Sequence, residues 1–235
     1  MSISLRAVAA FLGVIGAVSS AYAESDGEAV IARGILARGD MVVLFTQVSH
    51  CATAAEPAVP AAQMFFSSDG GRTWSRRGPE VEGGEFRYVL NTEGGLWVAG
   101  LHIVEEGNDP FILAPGTKPF EWDLQSIYDG ASDLGLVAFR KDGELLAWVH
   151  HYDHLNDKWQ TYLHASSDGG RRWRTVGRAK RDYPKGLREF EEIKKRTPEW
   201  RIADRQDSQF AIEHRAGTRQ PWQIVSEFPL PKCDP

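Results

Sequence analysis

Apolar and polar residues alternate at a period near two along most of this chain, and Gly, Asp, Asn or Pro interrupts the pattern roughly every eight to twelve residues. Such a pattern specifies strands. Fifteen strand candidates fall into groups of four, four, four and three. Each group follows one order: a strand, a tight turn, a strongly apolar strand, a longer loop, a third strand and a short turn. The tight turns are "RGD" at 38–40, "TEGG" at 92–95, "RKDGE" at 140–144 and "RQDS" at 205–208. Four short strands recurring roughly every 50 residues predict an all-β fold, a small β-propeller of four blades with four antiparallel strands each. One stretch departs from the pattern. In "PKGLREFEEIKKR", at 184–196, Leu187, Phe190 and Ile193 stand three apart among charges, which predicts an amphipathic helix between the third and fourth groups.

The octet "SSDGGRTW" at 67–74 returns as "SSDGGRRW" at 166–173, both times at the turn between a third and a fourth strand. Each letter has a structural use. An Asp carboxylate accepts hydrogen bonds from backbone N–H groups just downstream, and the Ser hydroxyl does the same more weakly. Glycine takes positive φ at no steric cost, and Trp supplies a large apolar face for packing between sheets. Ser67, Asp69, Gly71, Thr73 and Trp74 complete the SxDxGxTW pattern of the Asp-box, or BNR, repeat, so the chain resembles the Asp-box propellers of the sialidase-like superfamily. Ser166, Asp168, Gly170 and Trp173 repeat the pattern, with Arg172 where Thr is usual. "APGTKPFEW" at 114–122 and "AGTRQPW" at 216–222 are degenerate counterparts. The resemblance implies that the boxes are structural turns on the face opposite to the one that carries chemistry.

Residues 1–23 have the form of a signal peptide, with basic Arg6, the apolar run "AVAAFLGVIGAV" and a small-x-small "AYA" at 21–23. The run is shorter than the roughly 20 residues a spanning helix needs. The expectation is therefore a propeller domain at 24–235, periplasmic or secreted, with no membrane span after cleavage. Twenty-seven Lys and Arg against 32 Asp and Glu leave no basic excess for nucleic acid. The local basic run "RRWRTVGRAKR" at 171–181 is expected to be a charged strand edge. Cys51 and Cys233 are the two cysteines, and an even count in an oxidising compartment predicts that they form a disulfide.

In a four-strand blade, the loops joining strands two and three share a face with the blade-to-blade connections. That face is expected to gather segments 49–61, 102–109 and 150–158, with the helix beside them. Its candidate binding residues are His50, His102, Glu105, Asp109, His150, His151, Asp153 and His154. His150 and His154 are of metal-ligating type, but their spacing presets no geometry, so neither a metal nor another cofactor is expected. Glu85 with Glu105 is a carboxylate pair of the kind glycosidases use. Arg87 and Arg201 lie on first strands, within reach of a central channel. The resulting expectation is a non-catalytic propeller that binds a partner, a protein, through its loop face. The alternative is a sialidase-like glycoside hydrolase or a carbohydrate-binding propeller. Exposed aromatics beside a carboxylate in the channel mouth distinguish the second from the broad loop-built surface of the first.

Overall fold

The computed structural model describes residues 28–50, 60–104, 107–130, 132–153, 155–179, 184–205 and 209–229. Residues 1–23, expected to be a signal peptide, and Cys51, Glu105, His154 and Cys233 lie outside the described residues, as does the His50 side chain. Four antiparallel sheets account for the described fold, which is all-β and propeller-like. Sheet one is β1 (Glu28–Arg38), β2 (Met41–His50), β3 (Pro60–Ser67) and β4 (Ser75–Glu82). Sheet two contains β5 (Gly84–Thr92), β6 (Gly95–Val104), β7 (Gly107–Pro115) and β8 (Trp122–Ser126). Sheet three contains β9 (Ser132–Phe139), β10 (Leu145–Asp153), β11 (Lys158–Ser166) and β12 (Arg174–Arg178). Two short strands follow, β13 (Arg188–Glu189) and β14 (Glu191–Glu192), before sheet four with β15 (Trp200–Asp204), β16 (Gln209–His214) and β17 (Gln223–Pro229).

The central stretch of β2 is apolar because both of its faces are covered. Val42 and Leu44 pack with Trp200, Ile202 and Ile212 of sheet four. Val43 and Phe45, one residue out of phase, pack with Phe86, Val98 and Phe111 of sheet two. Period-two alternation thus divides "MVVLF" between two interfaces. Sheets two and three share a third cluster around Leu101, Ile112, Leu134 and Val149. The sheets therefore run in the order four, one, two, three. Among the described residues no hydrophobic cluster joins sheet three to sheet four.

The expected helix is absent. Residues 188–196 form an extended strap along the inner edges of the sheets. Its hydrogen bonds pass from β9 (Phe190 N to Val137 O, 2.9 Å) to β5 (Ile193 N to Arg87 O, 2.8 Å). They continue to β1 (Ile35 N to Lys194 O, 3.0 Å) and then β15 (Ile202 N to Lys195 O, 2.9 Å). The three-residue spacing of apolar side chains has a different cause from a helical face. Phe190 drops into the cluster between sheets two and three, and Ile193 into the one between sheets one and two. The intervening charges remain exposed. Inner strands present unpaired edge groups, and the strap satisfies part of that demand.

The strap also revises the fourth group. Trp200, read from sequence as part of a first strand, lies at the octet end of the molecule, where a Cβ on Gly71 would stand 3.2 Å from its ring. Trp74 donates from Nε1 to Ser226 Oγ at 3.0 Å. Ser226 follows Trp222 by four residues, as Gly78, which faces Trp122, follows Trp74. β15, β16 and β17 are thus the second, third and fourth strands of their blade, and the strap supplies the first.

Both octets are turns. Ser67 Oγ donates to Asp69 Oδ1 (2.7 Å) and accepts from Gly71 N (2.8 Å). Asp69 accepts from Arg72 N, Thr73 N and Thr73 Oγ1 at 2.7 to 3.0 Å. These donors, Thr73 foremost, hold its carboxyl well below the usual range. Gly71 and Gly170 have φ of 82° and 85°. In the second octet Arg172 replaces the Thr hydroxyl with a guanidinium bond, Nε to Asp168 Oδ2 at 2.9 Å. The backbone and side chain of Arg172 bring the Asp168 pKa down to about 2. Asp69→Ala is expected to cost about 1–2 kcal/mol of stability through lost turn hydrogen bonds. Urea denaturation reads that loss, while ligand binding by the folded fraction stays unchanged.

Candidate functional site

The first strands of three blades carry a β-bulge at the same place. Residue 33 is the extra residue in β1, Arg87 in β5 and Gly135 in β9. A bulge re-aims a side chain, and in β5 it sends Arg87 across to the next blade. There Arg87 NH1 donates to Asp133 Oδ1 at 2.7 Å, while NH2 meets Glu85 Oε2 at 3.5 Å. Glu85 and Asp133 are repeat-equivalent, each two residues before its bulge. Two carboxylates from adjacent blades thus share one guanidinium. All three groups are part-exposed, and Leu134 N, donating to Asp133 Oδ1 at 2.9 Å, fixes the second acid.

From Asp133 a polar row crosses sheet three. Asp133 stands opposite His150, and His150 opposite Thr161, so the three share one face. His150 Nδ1 lies 2.7 Å from Thr161 Oγ1. A Cβ on Gly135 would lie 2.5 Å from His150 Nε2, so glycine at this bulge makes room for the imidazole. The next rung on that face pairs Tyr152 with Trp159. Their rings are 5.3 Å apart, and Trp159 is 56% exposed.

Among the described residues, Asp109, Asp153 and His151 of the expected site make structural contacts. Asp109 Oδ1 accepts from Gly130 N at 2.7 Å and anchors the link between sheets two and three, with His102 opposite Asp109 in register. Asp153 caps the hairpin turn, accepting from Asn156 Nδ2 at 2.7 Å and Gln160 Nε2 at 2.8 Å. Asn156 leads the interactions that lower its pKa. His151 turns away from His150. It stacks on Tyr128 at 4.1 Å, and its Nε2 lies 3.3 Å from Nε2 of the buried His164. Burial lowers the pKa of both rings, that of His164 to about 4.

Among the described residues no group of three or more His, Cys, Asp or Glu could hold a metal ion. The two arginines expected to reach the channel do not converge either: Arg87 bonds Asp133, whereas Arg201, on the second strand of its blade, bonds Glu213 at 2.5 Å. Of the carboxylate pair expected at Glu85 and Glu105, Glu105 lies outside the described residues, and Glu85 shares the Arg87 guanidinium with Asp133. Asp133 and His164 stand in no motif, and only a repeat alignment through the bulges places Asp133 beside Glu85.

No protein-family model and no curated protein matches the chain. Solved structures do. One is an α-L-arabinanase of Penicillium chrysogenum complexed with arabinobiose, 14% identical, with a TM-score of 0.41. Another is an α-L-arabinofuranosidase of Fusarium graminearum in complex with an iminosugar inhibitor, 11% identical, also at 0.41. Each match covers 87% of this chain, which spans 62% of the neighbour's length. The likeness is one of fold. The expectation of a non-catalytic, protein-binding propeller is corrected, since these neighbours are carbohydrate-active enzymes.

Proposed function

We propose that the protein is a carbohydrate-active propeller that takes a glycan at the channel mouth, with Glu85 and Asp133 as its carboxylate pair. The observation that carries this reading is the pair itself: two acids from successive blades, part-exposed and held on Arg87. Carboxylates accept hydrogen bonds from vicinal sugar hydroxyls, and a guanidinium donates to ring and hydroxyl oxygens. Glycosidic bonds are cleaved between two such acids. The exported, sialidase-like character of the chain, with residues 1–23 removed and Cys51 bonded to Cys233, belongs to the same reading.

The test combines calorimetric titration with reducing-sugar release over an oligosaccharide panel that includes arabinobiose. Wild type is expected to bind or cleave at least one member. Arg87→Ala and Asp133→Asn are each expected to weaken binding at least about tenfold, the equivalent of one lost charge-assisted contact, with unchanged circular dichroism. Folded wild-type protein that neither binds nor cleaves any panel member overturns the proposal.

A further inference from the structure

The Glu85–Arg87–Asp133 group meets sheet three on the face that also carries its hairpin aromatics. Asp133, His150 and Thr161 form one cross-strand rung, and Tyr152 and Trp159 form the next rung on the same face. Residues two apart along a strand are separated by about 6.5–7 Å, somewhat more than the rise of one sugar unit in an extended chain. The first rung is polar and joins the Glu85–Arg87–Asp133 group through Asp133. The second is aromatic. Tyr152 Oη donates to Asp157 Oδ1, which fixes the ring at the base of the hairpin. Trp159, at an interplanar angle of 58° to Tyr152, keeps more than half of its surface open. A tryptophan this exposed, beside a second ring and next to a polar row that ends at Asp133, is unusual where a solvated hairpin needs only polar residues.

We infer that Trp159, braced by Tyr152, is a stacking subsite for a sugar unit two or more positions away from the one at Glu85 and Asp133. The ligand is then a glycan chain of at least three units, not a single terminal sugar. This rests on the carbohydrate reading of the channel mouth. The apolar C–H face of a sugar ring packs on an aromatic face, which is apolar at its centre and electron-rich, while the ring's hydroxyls point outward to water. His150 and Thr161, between the two subsites, offer hydrogen-bonding groups to the intervening unit. The acids would set which bond is engaged, and the tryptophan would set how long a chain must be to bind well.

Titration of wild type with arabinan, xylan and chitin oligosaccharides of two to six units tests this. Affinity is expected to climb by about tenfold between two and four units of the preferred series, the equivalent of one aromatic-face contact. Trp159→Ala is expected to flatten that climb while leaving the two-unit affinity unchanged, and Trp159→Phe to restore most of it. The hairpin tip is exposed, so the alanine variant is expected to fold, which circular dichroism checks. Glu85→Gln with Asp133→Asn should lower affinity at every length. A wild-type affinity independent of length, or a climb that survives in Trp159→Ala, overturns the inference and leaves the channel-mouth reading standing. Failure of wild type to bind any member of the three series overturns both.

Discussion

Replacing Phe190 with alanine is expected to lower stability by about 3–5 kcal/mol, the range for removing a buried phenylalanine. That is a large share of the roughly 5–15 kcal/mol that holds a domain together. The ring is 4% exposed and stacks on Phe139 at 6.0 Å, within the cluster shared by sheets two and three. Its backbone N–H is simultaneously bonded to Val137 O. Loss of the side chain therefore leaves a cavity between two sheets and also frees the strap that joins all four described sheets. Ile193 is the second anchor. It fits against Gly34, where an added Cβ would come within 2.1 Å of its Cγ2, so Gly34→Ala should displace the same segment. Glu191→Ala, on an exposed position between the anchors, serves as control and should change stability by less than about 0.5 kcal/mol. Urea denaturation of the three variants decides the matter. A Phe190→Ala loss no greater than that of Glu191→Ala would mean that the strap rests on the sheets without holding them.

The strap was also the least legible part of the sequence. Leu187, Phe190 and Ile193 stand three apart among charges, which is a helical signature. The actual reason is that consecutive anchors reach two different inter-blade clusters while the chain stays extended. Periodicity cannot separate those causes, because the second depends on where other blades place their cores. The misread strap had a further effect: with 188–196 assigned to a helix, "EWRIADR" was left to serve as a first strand when it is a second. By contrast, the four strand groups and the two octets were legible because their cues are local. "MVVLF" carries its two-sided burial in its composition, and the octets carry their hydrogen bonds within eight residues. The site lies between these extremes. Glu85 and Arg87 were visible as chemical types, but Asp133 became their partner only through a bulge that sends Arg87 across a blade boundary. His150 and His151 looked like one cluster, yet adjacent strand residues point to opposite faces. One joins the Asp133 row and the other pairs with the buried His164.

The buried His164, beside His151, is expected to make the protein acid-labile in a defined window. His164 is 2% exposed, with its Nε2 3.3 Å from Nε2 of His151 and its Nδ1 3.5 Å from Thr175 Oγ1. Tyr128 packs against both imidazoles, and Tyr162 lies 4.8 Å from the His151 ring. Desolvation is the main cause that lowers the pKa of His164, from 6.5 to about 4, with repulsion from His151 second. The unfolded chain therefore binds a proton that the folded chain refuses. Stability is complete above the unfolded value near 6.5 and falls as pH drops toward about 4, below which the loss is constant. The depression corresponds to about 3–4 kcal/mol at most, since one pKa unit is worth about 1.4 kcal/mol. The lowered pKa of His151 acts with the same sign. The octet carboxylates contribute elsewhere on the pH axis. Asp69 and Asp168 have depressed pKa values, so their stabilisation is present above the unfolded value of 3.8 and is lost only below it. Urea midpoints measured from pH 7.5 to 4 should therefore report the imidazoles and not the boxes. His164→Gln keeps a hydrogen-bonding group near Nε2 and removes the titrating one. It should flatten most of the slope between pH 6.5 and 4 while keeping the steeper loss below pH 4. If wild type and His164→Gln lose stability in parallel across the upper window, the imidazole pair is not what senses acid here.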